Sequence, residues 1–283
     1  MAAEPNADDI AYVTALVREQ DRPRYYATLF APAALRADLF ALYGFAAEIA
    51  RVPDQVSEPG LGEIRLQWWR DALAQATEHE GGGGVPALRA VAGTAARHRL
   101  PLAPFDALIE ARSADLYSDP PATRADVEGR MGETESALFQ MAAIILGSTG
   151  PETADAAGHA GIAYGIARRL AAFASERARG QTILPADILA GRGLTSADVF
   201  LTERRTELAT AVGELAGVAR DHLSLAQRAT KKLARQLRPA FLPLAPVASL
   251  LNRVERLGAA IAERTAHVSD FESLLRIALA RLG

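Results

Sequence analysis

The side chains that usually carry catalysis are few in this sequence and are widely spaced. There is no cysteine, which excludes a thiol nucleophile, a cysteine-ligated zinc site and an iron–sulfur cluster. No glycine-rich phosphate loop, nucleophile elbow or metal-binding pair of histidines is present. The five histidines are His79, His98, His159, His222 and His267. Standard catalytic motifs therefore assign no reaction to this chain.

Positive charge comes almost entirely from arginine, since Lys231 and Lys232 are the only lysines. A guanidinium is planar and binds phosphate through two parallel hydrogen bonds, so arginines can hold an anionic head group without a metal. The candidates for such a site are Arg51, Arg168, Arg169 and Arg177. Surface or structural ion pairs are the alternative use of the same side chains.

Composition and charge limit the class of protein. The chain is 49% hydrophobic with a net charge of −3, which is typical of a soluble globular protein and gives no basic field for nucleic acid. The N-terminal residues lack the basic and apolar segments of a secretory signal. Apolar runs such as residues 141–146 are far shorter than the roughly 18 residues of a membrane span. We therefore expect a cytoplasmic protein with at most peripheral membrane contact and no nucleic-acid partner.

Alanine, leucine, arginine and glutamate fill the segments between prolines and glycines, which predicts an all-α protein. No repeat or linker is evident, so we expect one domain over residues 1–283, with its core at about 10–265. The four glycines at 81–84 predict a loop, and Thr123 followed by Asp126 has the spacing of a capping box. The predicted helices are 8–20, 33–51, 60–79, 86–99, 104–117, 123–147, 153–178, 203–236, 239–266 and 270–281, with a short helix between Pro185 and Gly191.

The predicted helix 203–236 carries a continuous apolar stripe, which indicates packing along a core. The stripe consists of Leu208, Val212, Leu215, Ala219, Ala226 and Leu233. His222 falls on it and is either a hydrogen-bonded core histidine or a catalytic base; the sequence places no acidic partner beside it, which favours the first. On another face, Arg228, Lys231 and Arg235 form either a solvated surface or a contact for an anionic partner or a lipid surface.

Two pairs of segments resemble the squalene/phytoene synthase family, a group of all-α head-to-head prenyl synthases, over about residues 10–265. The most specific matches are Leu42-Tyr43-Gly44-Phe45, Gln67-Trp68-Trp69, and Ile183-Leu184-Pro185 followed by Gly193. The resemblance implies an isoprenoid synthase-like helical bundle around a central apolar cavity. The residues expected to line this cavity or to bind an anion are Tyr43, Arg51, Gln67, Trp69, Tyr164, Arg168 and Arg177. Neighbouring helical residues point about 100° apart, so at most one of the two tryptophans need face the cavity.

In active members of that family, each of two facing helices carries the motif Asp-x-x-x-Asp. Residues four apart lie on one helix face, so the carboxylates converge and hold Mg²⁺ ions that bind the substrate diphosphate and neutralise it as it leaves. Carried over to this sequence, the first motif falls on Ala50 and Asp54, and the second falls on Ala172 and Glu176. Both leading acids are alanine, whose methyl group cannot bind a metal.

Two further residues oppose a metal at the first motif. Arg51 places a cation beside it. Pro53 lacks an N–H and clashes with the carbonyl of Ile49, so the helix should kink or end there. For Asp54 and Glu176, the two interpretations are residual metal or phosphate binding, and ordinary polar residues at the mouth of the cavity.

The stretch 50–58, followed by Gly62, Arg65, Gln67 and Trp69, resembles the branch of the family that contains the mitochondrial complex I assembly factor and its bacterial relatives. The resemblance implies a non-catalytic protein without a metal or other cofactor, which acts in respiratory complex I assembly or as a scaffold for a prenyl lipid. It implies complex I subunits or assembly proteins as partners, and peripheral contact with the inner membrane. The alternative is an active prenyltransferase that condenses two farnesyl or geranylgeranyl diphosphates and uses Mg²⁺.

Overall fold

The computed structural model describes residues 6–78, 84–148, 150–201 and 203–282, and all regular secondary structure within these ranges is helical. The all-α prediction is therefore confirmed. His79 and the glycines at 81–83 lie outside the described residues. Within the described ranges, no helix is both long and apolar enough to cross a bilayer.

The fold consists of α-helices joined by short loops and 3₁₀ turns. The α-helices are α1 (Ala7–Gln20), α2 (Arg22–Leu29), α3 (Arg36–Ala50), α4 (Pro59–Glu78), α5 (Pro86–His98), α6 (Ala103–Ser113), α7 (Arg124–Met131), α8 (Ala137–Ile145), α9 (Ala154–Ala171), α10 (Phe173–Ala178), α11 (Ala186–Ala190), α12 (Arg205–Thr230), α13 (Val247–Leu257) and α14 (Asp270–Leu282). A π turn, Gly132–Ser136, joins α7 to α8. A 3₁₀ segment, Arg235–Leu244, lies between α12 and α13.

Side-chain caps fix the starts of several helices. Thr123 and Asp126 form the predicted capping box at the start of α7, where each side chain accepts a hydrogen bond from the other residue's backbone N–H. The helix α2 is absent from the predicted set, although its sequence contains a start signal. Asp21 accepts a hydrogen bond from the backbone N–H of Arg24 at 3.1 Å, and Pro23 occupies the first turn.

The prediction of one helix over 239–266 is wrong because of two prolines. Pro239 and Pro243 cannot donate to the preceding turn, and the chain there forms the 3₁₀ segment instead of an α-helix. The α-helix α13 begins only at Val247.

Other predicted helices are interrupted or shorter than expected. The helix predicted over 153–178 leaves helical geometry at Ala172, where ψ is 3°, so α9 and α10 are separate. The helix predicted over 123–147 contains the π turn. The helix predicted over 203–236 ends at Thr230.

The central helix is α3, in which every residue from Asp38 to Ile49 is buried. It packs against α1, α5 and α8. Gly44, in the middle of the family-like segment, permits the contact with α1: a Cβ at this position would lie 2.5 Å from the Cβ of Val13. A side chain here would therefore push the two helices apart.

The long helices α9 and α12 contact each other over much of their lengths. All six residues of the predicted stripe are buried, and five of them lie on α12, so the periodicity identified the correct face of this helix; Leu233 follows its end. His222 has its Nδ1 atom 2.9 Å from Nδ1 of His159 on α9. The prediction of a hydrogen-bonded histidine at the core boundary is confirmed.

The π turn lies directly against α9. A Cβ on Gly161 would lie 2.1 Å from the backbone nitrogen of Ser136, and a Cβ on Gly165 would lie 2.2 Å from Sδ of Met131. At Gly161 the obstacle is backbone, so only glycine allows this close approach, whereas at Gly165 the Met131 side chain would have to move. The turn also places Glu135, which is 7% exposed, in the interior of the bundle.

Candidate functional site

The side chain of Arg24 lies between α3, α8 and α9 in the middle of the bundle. The residue is only 3% exposed. Its guanidinium carbon lies 5.1 Å from the ring centroid of Tyr43, 5.3 Å from that of Phe139 and 4.8 Å from that of Tyr164. Rings at these distances attract a cation. Two of the predicted cavity residues, Tyr43 and Tyr164, therefore surround an arginine.

Two acids neutralise Arg24. Its Nη1 atom lies 2.8 Å from Oε2 of Glu135 and 3.3 Å from Oδ2 of Asp21. Asp21 also binds Nη1 of Arg168 at 2.6 Å and accepts a hydrogen bond from the Tyr164 hydroxyl. Burial alone would raise the pKa of Glu135, but the charges of Arg24 and Arg168 outweigh it and lower this pKa to about 2. Glu135 is therefore ionised at neutral pH and paired with arginine.

A second buried acid, Asp115, binds three arginines. Its oxygens lie 2.8 Å from Nη1 of Arg169, 3.2 Å from Nη1 of Arg112 and 3.6 Å from Nη1 of Arg130. Burial would raise the pKa of Asp115, but Arg169 and Arg112 hold it well below its usual value. Asp115 is 8% exposed, so this carboxylate is enclosed together with its arginine partners.

Glu176, the acid retained at the second motif, is part of the same network. Its Oε1 atom lies 2.5 Å from Nε of Arg169, and the residue is 4% exposed. Burial raises the pKa of Glu176 despite that arginine. Arg112 lies 3.4 Å from Glu135 and so joins the two halves of the network.

We call this network the arginine cluster. Its members are Asp21, Arg24, Arg112, Asp115, Arg130, Glu135, Arg168, Arg169 and Glu176. Five arginines against four acids give a formal charge of 5 − 4 = +1. The cluster connects α2, α6, α7, the π turn, α9 and α10, so its chemical effect is to hold these elements in one arrangement.

The donor set of the arginine cluster does not fit Mg²⁺. That ion needs several oxygen ligands in octahedral geometry, whereas the carboxylates here are already bound to guanidinium groups and the surplus charge is positive. Each of these carboxylates forms at least one ion pair with an arginine, and a buried charge that loses its partner costs about 3–5 kcal/mol. Across the ranges that the structure describes, no three His, Asp or Glu side chains are grouped to hold a metal ion.

The first motif is not built on a continuous helix. The helix α3 ends at Ala50, and Arg51 caps it. A separate 3₁₀ turn, Pro53–Gln55, follows, which agrees with the expectation that the helix kinks or ends at Pro53. Asp54 in that turn has a side chain that is 54% exposed and lies 3.6 Å from Nε of Arg179. The retained acid of the first motif is therefore at the surface.

The aromatic and amide candidates on α4 divide between core and surface. Trp69 is 2% exposed and packs edge-on against Phe45, with ring centroids 5.7 Å apart. Trp68 is 46% exposed. Gln67 is also exposed and donates a hydrogen bond to Asp71 at 2.8 Å. At most one tryptophan faces inward, as helix geometry requires, and Gln67 does not reach the interior.

Three of the four arginine candidates have structural partners. Arg177 donates to the backbone carbonyls of Val199 at 2.6 Å and Leu201 at 3.0 Å, which fastens the loop before α12. Arg168 and Arg169 belong to the arginine cluster. The half-buried Arg51 forms no ion pair with any described residue and remains the one of these four that could meet an anion.

Sequence reasoning missed the residue at the centre of the cluster. Arg24 lies on the unpredicted helix α2, and Glu135 was not considered because the segment 123–147 appeared to be an ordinary helix. A signal was available: Gly161 and Gly165 are four residues apart and mark the α9 face on which the π turn lies. The partners of Glu135 come from other parts of the chain and leave no local pattern.

Comparisons with known proteins agree on one family and one fold. The model of the family described as squalene/phytoene synthase matches residues 17–272. Two curated relatives carry the name "NADH dehydrogenase (ubiquinone) complex I, assembly factor 6". The one from Rattus norvegicus is 26% identical over 254 residues, which is 88% of this chain and 75% of the relative. The one from Homo sapiens is 27% identical over 250 residues, which is 87% of this chain and 74% of the relative.

Solved structures show the same fold. Squalene synthase HpnC from Alicyclobacillus acidocaldarius superposes with a TM-score of 0.76 at 20% identity, over 89% of this chain and 94% of that chain. A dehydrosqualene synthase in complex with ligand gives a TM-score of 0.79 at 16% identity, over 97% of this chain and 96% of that one. The predicted isoprenoid synthase-like fold is therefore confirmed.

Proposed function

The chain belongs to the squalene/phytoene synthase family, and on that premise we propose that it is a non-catalytic member that acts in the assembly of respiratory complex I. The observation that carries this proposal is the arginine cluster. The family chemistry needs free carboxylates for Mg²⁺, whereas the acid retained at the second motif, Glu176, is paired with Arg169 inside this cluster.

Prenyl transfer of this kind depends on stabilising the leaving diphosphate. Formation of an allylic cation needs several kcal/mol of stabilisation of the departing charge, which metals supply in this type of reaction. The two alanines, Ala50 and Ala172, supply no ligand, Glu176 is bound to Arg169, and Asp54 lies at the surface. In the part of the chain that the structure describes, no group of three His, Asp or Glu side chains is placed to hold the metal ions that this reaction uses.

The assembly role is supported by the relatives that align over most of the chain. The rat and human relatives carry the name of complex I assembly factor 6 and share 26–27% identity with this chain. A role in assembly requires surfaces that bind other proteins and does not require metal ligands. Complex I subunits or other assembly proteins are the partners that this proposal assigns.

A turnover assay tests the non-catalytic part. The purified chain is incubated with farnesyl or geranylgeranyl diphosphate, with Mg²⁺ or Mn²⁺ and NADPH, and the products are separated. We expect neither squalene, nor phytoene, nor their cyclopropyl intermediate. Multiple turnovers to any of them would reject the proposal.

A deletion in the host tests the assembly part. We expect less assembled complex I on a native gel, with unchanged carotenoid and hopanoid content. Because Asp54 is exposed and only weakly paired, Asp54→Ala should fold and should restore complex I as well as a matched exposed variant, Asp106→Ala. Rescue by the second variant only, or loss of terpenoids with normal complex I, would contradict the proposal.

A further inference from the structure

The last helix, α14, carries apolar side chains on two opposite faces. Its inner face packs against α2 and the 3₁₀ segment, and Ser273 and Ile277 are buried there. We call the apolar set on the opposite face the outer stripe. Its members are Phe271, Leu275, Ala278, Leu279 and Leu282. At about 100° per residue these positions lie within one third of the circumference, on the side away from Ile277.

The large side chains of the outer stripe lie open to solvent. Phe271 is 77% exposed, Leu275 46%, Leu279 60% and Leu282 85%. Single exposed leucines are ordinary at a protein surface, whereas a row of large apolar side chains at helical spacing marks a face that binds another molecule. The described part of the chain covers the inner face of α14 and leaves the outer stripe uncovered.

The spacing of the outer stripe fits two antiparallel copies of the same helix. Four members, from Phe271 to Leu282, follow one another at intervals of four, three and four residues, which is the alternation of a and d positions in a two-helix coiled coil. With a two-fold axis between residues 276 and 277, Phe271 of each copy meets Leu282 of the other. Leu275 meets Ala278 in the same way, so the small alanine lets the helices approach at the centre.

Charges along α14 favour the antiparallel orientation. Asp270 and Glu272 lie in its first turn, and Arg281 lies in its last turn. Asp270 keeps a half-exposed carboxylate although it binds Arg22, and Arg281 forms no ion pair with an acid among the described residues. Antiparallel copies place the acidic start of one helix beside the basic end of the other and oppose the two helix dipoles. Parallel copies would bring like charges together.

We propose that the outer stripe is the interface of a homodimer in which two copies of α14 pack antiparallel. The same face serves both copies, as a two-fold interface requires. Because the inner and outer faces are opposite, the two bundles lie on opposite sides of the helix pair and do not compete for space. The stripe from residue 271 to residue 282 is about 16 Å long. A contact of this length is small for a specific interface, so we expect a weak dimer.

The oligomeric state of the purified chain tests this proposal, and the test does not depend on a role in complex I assembly. Sedimentation equilibrium between about 1 and 100 µM should show monomer and dimer exchanging with concentration. Leu275→Glu/Leu282→Glu should weaken association at least about tenfold, because it buries carboxylates in an apolar contact. Leu61→Glu/Ile64→Glu on α4 adds the same charge at two exposed apolar positions and should leave association within about twofold.

Folding of the variants is measured in parallel. Leu275 and Leu282 are on the surface of the monomer, so circular dichroism should show unchanged helix content in the charged variant. If that variant does not fold, the same measurement is made with Leu275→Gln/Leu282→Gln, which should also weaken association.

Cysteine cross-linking determines the orientation, since the natural chain contains no cysteine. Phe271→Cys and Leu282→Cys are made as separate variants and are oxidised gently, each alone and as a mixture. In the antiparallel dimer the two residues 271 lie about 16 Å apart along the axis, farther than the roughly 7 Å that a disulfide can span between Cα atoms. Only the mixture should therefore give a disulfide-linked dimer.

Several results would overturn the proposal. These are a monomer over the whole concentration range, a dimer that Leu275→Glu/Leu282→Glu leaves intact, and an equal loss of association in the two charged variants. Cross-linking of each cysteine variant alone, without cross-linking between the two, would show a parallel pair instead. A monomer that binds another protein or a vesicle, and loses this binding in Leu275→Glu/Leu282→Glu, would assign the outer stripe to that partner.

Discussion

Replacing Arg24 by methionine should cost this protein a large part of its stability. Methionine has a similar length, so the substitution removes the charge and leaves little empty space. Glu135 would then keep only Arg112, at 3.4 Å, as an ion-pair partner. A buried charge left without its main partner costs about 3–5 kcal/mol.

The pKa of Glu135 provides a second measure of the same effect. The folded protein lowers this pKa from 4.5 to about 2, which corresponds to about 3 kcal/mol of stabilisation at neutral pH. Because the folded pKa is lowered, this contribution is present above the unfolded pKa and is lost as the pH falls from 4.5 towards 2. The difference between wild type and Arg24→Met should therefore shrink over that pH range.

The assay is denaturant unfolding at pH 7 and at pH 3, with a thermal scan alongside. At pH 7 we expect a loss of about 3–5 kcal/mol, or a decrease in Tm on the order of 10 °C. Arg179→Met is the control, because its pair with Asp54 is half-exposed and is worth less than about 1 kcal/mol. If Arg24→Met does not fold, the free energy of unfolding is measured for Arg24→Lys and for the double variant Arg24→Met/Glu135→Leu instead. Equal losses in Arg24→Met and Arg179→Met, or a loss that does not change with pH, would refute the reasoning.

Three further predictions concern metal linkage, helix contact and core packing. Mg²⁺ added with a non-hydrolysable prenyl diphosphate should raise the Tm no more than the diphosphate alone; a rise that needs the metal and disappears in Glu176→Ala would contradict the non-catalytic proposal. Gly161→Ala should lower the free energy of unfolding by about 1–3 kcal/mol, since its Cβ would lie 2.1 Å from the backbone of Ser136. Gly158→Ala on the same helix meets nothing within 4 Å and should be neutral or stabilising. Equal effects of the two substitutions in urea unfolding would count against the close contact between α9 and the π turn. Trp69→Ala should cost about 3–5 kcal/mol and Trp68→Ala less than about 1 kcal/mol in the same assay, because only Trp69 is buried.

Local sequence patterns predicted the parts of the fold that depend on neighbouring residues. The stripe on α12 marks its buried face because helix periodicity is a property of one segment. The 3₁₀ segment was mistaken for part of a helix because apolar residues around Pro239 and Pro243 mimic helical spacing, and proline geometry overrides that spacing.

The candidate site was predictable only in its outline. The resemblance named Ala50, Ala172, Glu176, Tyr43 and Tyr164, but the predicted helix 153–178 ran through Ala172, where α9 ends. It could not indicate that Arg24 lies between the two tyrosines, because that contact joins helices far apart in the sequence. Ion pairs such as Asp115 with Arg169 span 54 residues and leave no trace in local spacing.

The arginine cluster also constrains how this sequence can evolve. Arg169→Ala alone would leave Glu176 without its ion-pair partner in the interior and would leave Asp115 with Arg112 and Arg130 only. This step lowers stability before any metal can bind, so selection for folding acts against it. Freeing Glu176 for a metal therefore requires a further substitution that compensates the loss of Arg169.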